Sequence, residues 1–432
     1  MTQQSTATPE AALGDIRVLD LTGEIGHYAT KLLADLGADV IKIEQPGGDP
    51  VRALPPYYSK HPDLSLYWLN LNTSKRSVTL DIDTEEGRAL FERLAATADV
   101  VVESFEPGYM ESLGLGYEAL NKIKPGIILT SITGFGQTGP YAHYKAPDIV
   151  GVAMGGVMWL AGEPTDPPNV PPWRQGYISA SIIGAAGTLT ALVYRDRTGE
   201  GQHVDVSMQE SLSIAQETAM QTWDMMQALR TRTGSRGIVP FDIPGIGIYE
   251  CNDGHVFGYL GTPGGAPWSE MLNWMTEEDK AGDLNEQPYH DFIHNLNLRF
   301  LTGMVQDAAN LGKNIQIMSH IVGVLKEFTA GKTKWEMYEG GQGRRLLWGI
   351  VSTPEDIAKN PQLQSRNWLT SVEHPEIRDT LQYPGRPYWL SETPWAVHHR
   401  PPLVGEHNSE ILGGELGVTL DEWQKLEAAR VV

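Results

Sequence analysis

Lys75 and Arg76 are neighbours in the run Asn72-Thr73-Ser74-Lys75-Arg76-Ser77. Two cations among small polar residues, just before a strand-like stretch, suit a phosphate clamp. The same run also suits a solvated charged turn. Other residues with chemistry to offer are more scattered. His398 and His399 are adjacent, so on a strand they face opposite ways and on a helix they diverge. His290 and His294 have the His-x-x-x-His spacing without an evident third ligand, so no metal site is expected. The one cysteine, Cys251, cannot form an intrachain disulfide and fits a small core residue. Gly-x-Ser-x-Gly, the nucleophile elbow, does not occur. The runs Pro46-Gly47-Gly48 and Gly134-Phe135-Gly136 do not complete G-x-G-x-x-G and read as turns.

The elements around these residues follow an alternating pattern. Ile16 to Leu21 is a short β-type run, Tyr28 to Leu36 a helical one closed by Gly37, and Asp39 to Glu44 a second strand. Further strands are predicted at Ser77–Leu80, Asp99–Glu103, Ile127–Ile132 and His203–Val206, with a helix opened by Thr84. Strand–helix–strand units in series argue for an open α/β sheet with ligands at the strand ends. From Ile178 to Tyr194 small residues dominate, so a helix there can approach its neighbours closely, inside the sheet domain or against another subunit. Residues 226–385 change character, with Trp268, Trp274, Trp335 and Trp348, and read as a second, α+β domain. Residues 386–432 return to extended sequence and end in a helix begun by Thr419. Residues 1–13 read as a mobile tail.

Composition sets outer bounds. A chain of 432 residues suggests two or three domains, and 41% hydrophobic with 20% charged residues is a globular profile. The formal net charge of −21 repels polyanions, so neither nucleic acid nor an anionic membrane is an expected partner. A local cationic cluster can still bind one phosphorylated cofactor. A single cysteine, no targeting segment and no apolar stretch of membrane-spanning length together point to the cytoplasm.

Several segments together resemble CoA-transferase family III, the CaiB/BaiF group. They include Arg17-Val18-Leu19-Asp20-Leu21-Thr22, Leu33 to Glu44, Asn72 to Asp81, Glu103-Ser104-Phe105-Glu106-Pro107-Gly108 and Gly134 to Tyr141. Thr198-Gly199-Glu200-Gly201-Gln202, Val204 to Met208 and Gly405-Glu406-His407-Asn408 continue the match, which covers nearly the whole chain. The resemblance implies a Rossmann-like large domain built from both chain ends (1–225 and 386–432) and a smaller inserted α+β domain (226–385). It also implies two interlocked chains and a site that moves CoA between carboxylic acids. CoA and acyl-CoA are then substrates, with no metal. Lys75, Arg76, Lys145, Ser104 and Ser112 become the implied CoA-binding positions, Ser112 standing where family members carry an arginine.

In such enzymes an aspartate attacks the thioester, forming a mixed anhydride that the released CoA thiolate then opens. The family's aspartate follows a glycine at the entrance of the small-residue helix; counting back from Thr198 to Gln202, that position is Tyr177, after Gly176. A phenol cannot form the anhydride, and its pKa near 10 makes it a poor substitute. The histidine of the racemase branch is replaced by Pro147. Three readings stay open. The chain is the aspartate-lacking subunit of a heteromeric CoA-transferase of the benzylsuccinate type, paired with an aspartate-bearing paralogue. Alternatively it is a stand-alone transferase, or an acyl-CoA isomerase or lyase, with chemistry displaced to Glu24 as carboxylate and His27 as base. Thirdly, it is a non-catalytic CoA-ester binding protein; across these readings the interlocked pair is either a homodimer or a heterodimer with the aspartate-bearing paralogue.

Overall fold

The computed structural model describes residues 11–216, 218–236, 241–307 and 309–432, and the chain divides into two compact units. Most of the segment expected to be a tail, residues 1–10, lies outside the described residues. The larger unit comprises residues 1–157, 171–218 and 361–432, the smaller one 158–170 and 219–360.

Six strands form the sheet of the larger unit: β1 (Arg17–Leu21), β2 (Asp39–Glu44), β3 (Arg76–Thr79), β4 (Val100–Glu103), β5 (Ile128–Thr133) and β6 (His203–Ser207). Their order is β3-β2-β1-β4-β5-β6, and every neighbouring pair is parallel. Strands β4 and β5 are buried along their whole length, so β4 reads as the run Val100-Val101-Val102 without alternation. Between them run helices set by local signals. Helix α1 (His27–Asp35) ends where Gly37, at φ +98°, lets its own N–H reach the Ala34 carbonyl and the Ala38 N–H reach that of Leu33. Helix α2 (Glu85–Ala95) starts at Thr84, whose side chain accepts the Gly87 N–H, with Glu85 and Glu86 against the positive end of the dipole. Leu90, Phe91 and Leu94 face the core. Helix α3 (Asp148–Met154) precedes the long helix α4 (Gln175–Thr198).

Among the described residues, α4 is long and apolar enough by composition to cross a membrane, contrary to the expectation from sequence that no such stretch exists. It packs instead along α1, β5 and β6. Gly184 is what permits the close approach: a Cβ there would lie 2.6 Å from Ile132 Cδ1. The other face of α4 leaves Ile182, Ile183, Val193 and Tyr194 exposed.

The smaller unit has an antiparallel sheet, Ile246–Cys251, Gly254–Tyr259 and Trp348–Ile350, with Gly254–Tyr259 in the middle. Trp268, Trp274, Trp348 and Met271 fill its core together with helix Leu311–Ala330, and Cys251 is buried among them. Residues 158–170 join this unit because Glu163 pairs with Arg236 and accepts the Ser235 N–H. The return to the larger unit comes at residue 361, not 386. The hairpin Thr370–His374/Asp379–Tyr383 places Val372 and Tyr383 in a core with Tyr67, Trp68 and Leu69.

Candidate active site

In an open sheet of this order the strand connections diverge between β1 and β4, which opens a crevice beyond the carboxyl ends of those strands. The loop Thr22-Gly23-Glu24 leaves β1 there and Ser104-Phe105 leaves β4; the Gly23 N–H donates to Ser104 Oγ at 2.7 Å and ties them together. A buried charge network fixes the first loop. Asp20 accepts the Thr22 N–H at 2.9 Å and the Thr22 hydroxyl at 2.6 Å on one oxygen, and Thr30 and Lys75 on the other. The Thr22 carbonyl in turn accepts from Lys42. Burial alone would raise the Asp20 carboxyl, but Lys75 and Lys42 outweigh it and hold the group well below the usual carboxylate range.

From this fixed loop Glu24 meets Arg174, the residue that opens α4, at 2.5 Å. The Arg174 guanidinium stands 5.3 Å from the Tyr67 ring and 5.9 Å from the Tyr177 ring. Asp148, in the first turn of α3, accepts the Tyr177 N–H at 2.9 Å and so takes over the capping of α4. Ser181, one turn further along α4, donates to the Ile25 carbonyl and pins the loop from the other side. Burial raises the Glu24 carboxyl, and the Arg174 charge offsets only part of this. The Tyr177 phenol is raised by burial and by the charge of Glu24, so it stays protonated at neutral pH. A cavity of about 200 Å³ bounded by Ser104, Phe105, Thr133, Gly134, Lys145 and Tyr177 opens beside this group. A second, of about 410 Å³, lies across Phe105 and is lined by Gly23, Glu24, Asp49 and Leu80.

The description of CoA-transferase family III matches residues 13–408. The chain is 34% identical over 400 residues to the succinyl-CoA:(R)-benzylsuccinate CoA-transferase subunit BbsE of Thauera aromatica, covering 92% of each chain. The chain belongs to CoA-transferase family III. Against the succinyl-CoA:mesaconate CoA-transferase of Haloarcula hispanica identity is 34%, over 94% of this chain and 97% of the relative. A CaiB/BaiF family protein from Brucella suis has the same fold, with a TM-score of 0.78, 26% identity and coverage of 93% of this chain and 99% of that one. Family III CoA-transferases move CoA between carboxylic acids, so CoA and acyl-CoA are substrates of the class.

For a family III CoA-transferase the positions expected from sequence fall into two groups. Ser104, Lys145 and Tyr177 share the smaller cavity, Glu24 lines the larger one, and Lys145 is highly exposed with Glu106 as its ion-pair partner. The other positions lie elsewhere. Lys75 is fully buried, its ammonium donating to Asp20, Asn72 and the His27 carbonyl; burial lowers it to about 8, with Asp20 opposing. Arg76 holds Asp39 through two parallel hydrogen bonds and reaches Glu410 and Glu415 with its remaining nitrogen. His27 is also fully buried, with Nε2 facing Asp49 and the Thr22 carbonyl. Ser112 is exposed, and its hydroxyl donates to the Tyr109 carbonyl. Sequence reasoning passed over Arg174, Tyr67 and Asp148 as site residues. Arg174 and Asp148 carry a signal, each lying within three residues of an inspected position; Tyr67 carries none that a single sequence shows.

Proposed function

We propose that this chain is the aspartate-lacking subunit of a heteromeric family III CoA-transferase, joined to a paralogue that carries Gly-Asp where this chain has Gly176-Tyr177. Tyr177 carries the reading: the helix entrance that would present a carboxylate presents a protonated phenol, held in place by Asp148. That the relative from Thauera aromatica is named as a subunit supports it. In this role the chain contributes binding surface rather than the mixed anhydride. Ser104 and the exposed Lys145 are placed to meet CoA, the lysine by exchanging Glu106 for a phosphate. Lys75, His27 and Arg76 act from behind, by fixing the β1 loop and the edge of the sheet. We further propose that two chains interlock, as the resemblance implies, and that the assembly works in the reducing cytoplasm.

The Glu24 carboxyl, raised by burial and close to Tyr177, favours a second reading, in which it is itself the reacting carboxylate of a stand-alone enzyme. One experiment separates the two. The purified chain, alone and co-expressed with an aspartate-bearing paralogue, is incubated with acyl-CoAs with and without hydroxylamine and examined by mass spectrometry. A CoA adduct on the paralogue and none on this chain is expected. An adduct at Glu24, with activity of the chain alone that Glu24→Gln abolishes, overturns the subunit reading in favour of the second.

A further inference from the structure

We infer that Thr133 recognises an acyl-CoA by its thioester: the Thr133 hydroxyl donates to the thioester carbonyl oxygen inside the cavity of about 200 Å³, and by this the chain tells loaded CoA from free CoA. This rests on the reading of the site as one for CoA and acyl-CoA, and adds to it the residue that senses the acyl bond.

The contrast along β5 carries the inference. Thr130, Ser131 and Thr133 put three buried hydroxyls on this strand. Thr130 shares a hydrogen bond of 2.7 Å with Thr188 of α4, and Ser131 meets His203 Nε2 at 2.9 Å. Thr133 lies two residues beyond Ser131, on the same face of the strand. It is 5% exposed, and its hydroxyl has no hydrogen-bond partner. Polar groups shut away from water are paired in the great majority of cases, and one left unpaired has lost its hydration for nothing in return. This one is the last residue of β5, at the carboxyl end where sheets of this order take ligands, and it borders the cavity.

The rest of the wall narrows what the hydroxyl can meet. Ser104 Oγ accepts the Gly23 N–H, which leaves its own O–H to donate. The Tyr177 phenol, raised by burial and by the charge of Glu24, keeps its proton and is a third donor. Glu106 and Lys145 also line the cavity, but both are exposed and they pair with each other. A Cβ on Gly134 would collide with that of Ala146, so the segment carrying Lys145 lies directly against the turn after β5. Away from the exposed ion pair the wall thus offers neutral hydroxyl donors. Such a wall suits a neutral oxygen with partial negative charge better than a carboxylate, whose burial calls for a cation. Acyl-CoA differs from CoA by one such oxygen, the carbonyl next to sulfur.

Calorimetric titration of the purified protein with acetyl-CoA, S-ethyl-CoA and CoA tests this. S-ethyl-CoA keeps the pantetheine amides and a two-carbon group on sulfur, and lacks only the thioester carbonyl. The wild-type protein is expected to bind acetyl-CoA about tenfold more tightly than S-ethyl-CoA. Thr133→Val, which keeps the shape and removes the hydroxyl, should erase that difference by weakening acetyl-CoA alone, and Thr133→Ser should retain most of it. Thr133→Val should also melt no lower than wild type, since the hydroxyl has no partner to lose. Equal affinity of the wild-type protein for acetyl-CoA and S-ethyl-CoA overturns the inference. So does equal weakening of both by Thr133→Val, which would put the hydroxyl on a pantetheine amide, or a lowered melting temperature, which would show it paired within the chain. The CoA arm separates this from the underlying function: binding of all three without preference sinks the inference alone, whereas binding of none counts against the CoA-transferase reading and takes the inference with it.

Discussion

At the scale of single residues the site is a contest among acidic groups for one cation. Burial and the charge of Glu24 raise the Tyr177 phenol, Asp148 accepts the Tyr177 N–H, and Arg174 is the nearby guanidinium. An aspartate introduced at 177 would be a third carboxylate sharing that cation, with its nucleophilic form disfavoured by its neighbours. Tyr177→Asp in the isolated chain is therefore expected to stay below about one turnover per second, the low end of ordinary enzyme rates. Turnover well above that, in a steady-state assay with an acyl-CoA and an acid, would show that the rest of the machinery is already present. Glu103, at the end of β4, gives a second prediction. Burial pushes its carboxyl up to about 7, against hydrogen bonds from Ser131 and the Phe105 N–H. Between the ordinary carboxyl value of 4.5 and about 7 the folded protein holds this proton and the unfolded chain does not. Stability therefore falls as pH rises through that window. Glu103→Gln keeps an acceptor for the Phe105 N–H and removes the ionisation. It is expected to be more stable than wild type by about 2–3 kcal/mol at pH 8 and nearly equal at pH 5, measured by denaturant unfolding. Parallel pH curves for the two proteins would refute this.

Among the elements, α4 does most to place the site, since its first turn carries Arg174, Gly176 and Tyr177 and its body fixes that turn against the sheet. The fixing depends on missing side chains. At Gly184 a Cβ would stand 2.6 Å from Ile132 Cδ1 and 3.2 Å from Cγ1. Gly184→Leu must push the helix off β5 or force Ile132 out of its rotamer, at a cost of about 1–3 kcal/mol. A lowered melting temperature, accompanied by weaker CoA binding as the Tyr177 turn shifts, is the expected result; an unchanged melting temperature would mean that the helix is not held there. The β1 loop is set differently, by buried charges rather than by close packing. Asp20, Lys42 and Lys75 are buried, and together with Asp49 they offset one another's charge. That arrangement holds Thr22 and, two residues on, Glu24.

For the whole molecule the question is what covers its apolar surface. Ile182, Ile183, Val193 and Tyr194 are exposed on α4, and Trp223, Met225 and Met226 are exposed in helix Ala219–Met226. With a net charge of −21 the chain is not expected to associate at random, and the proposed partner chain would cover these side chains. Light scattering of the purified protein, alone or with its paralogue, should give a species of at least twice the mass of one chain. A stable monomer at micromolar concentration in both preparations would contradict the interlocked assembly.

Much of the larger unit was legible in the sequence. The alternation of apolar runs with helical patterns gave the strands to within a residue or two, and Gly37, Thr84 and Thr419 marked helix ends that the structure places at the same residues. These signals are local: hydrogen bonds and left-handed turns within a few residues of one another. So is the presence of Tyr177 after Gly176 at the start of a small-residue helix. The fate of the charges was not legible. Lys75 and Lys145 looked alike as candidate anion binders, yet one is enclosed by Asp20, 55 residues away, and the other stands in solvent. Arg76 is held partly by Glu410 and Glu415, more than 330 residues on, and Glu24 is joined to Arg174 across the sheet domain. Periodicity records which face of an element is apolar, but it does not record which distant side chain will sit opposite a charge. The sequence by itself thus determined the alternating elements and the residue at the helix entrance. Only the tertiary structure decided which cations were neutralised in the interior and which were paired at the surface, because the energy of a charge depends on its surroundings in space and not on its neighbours in the chain.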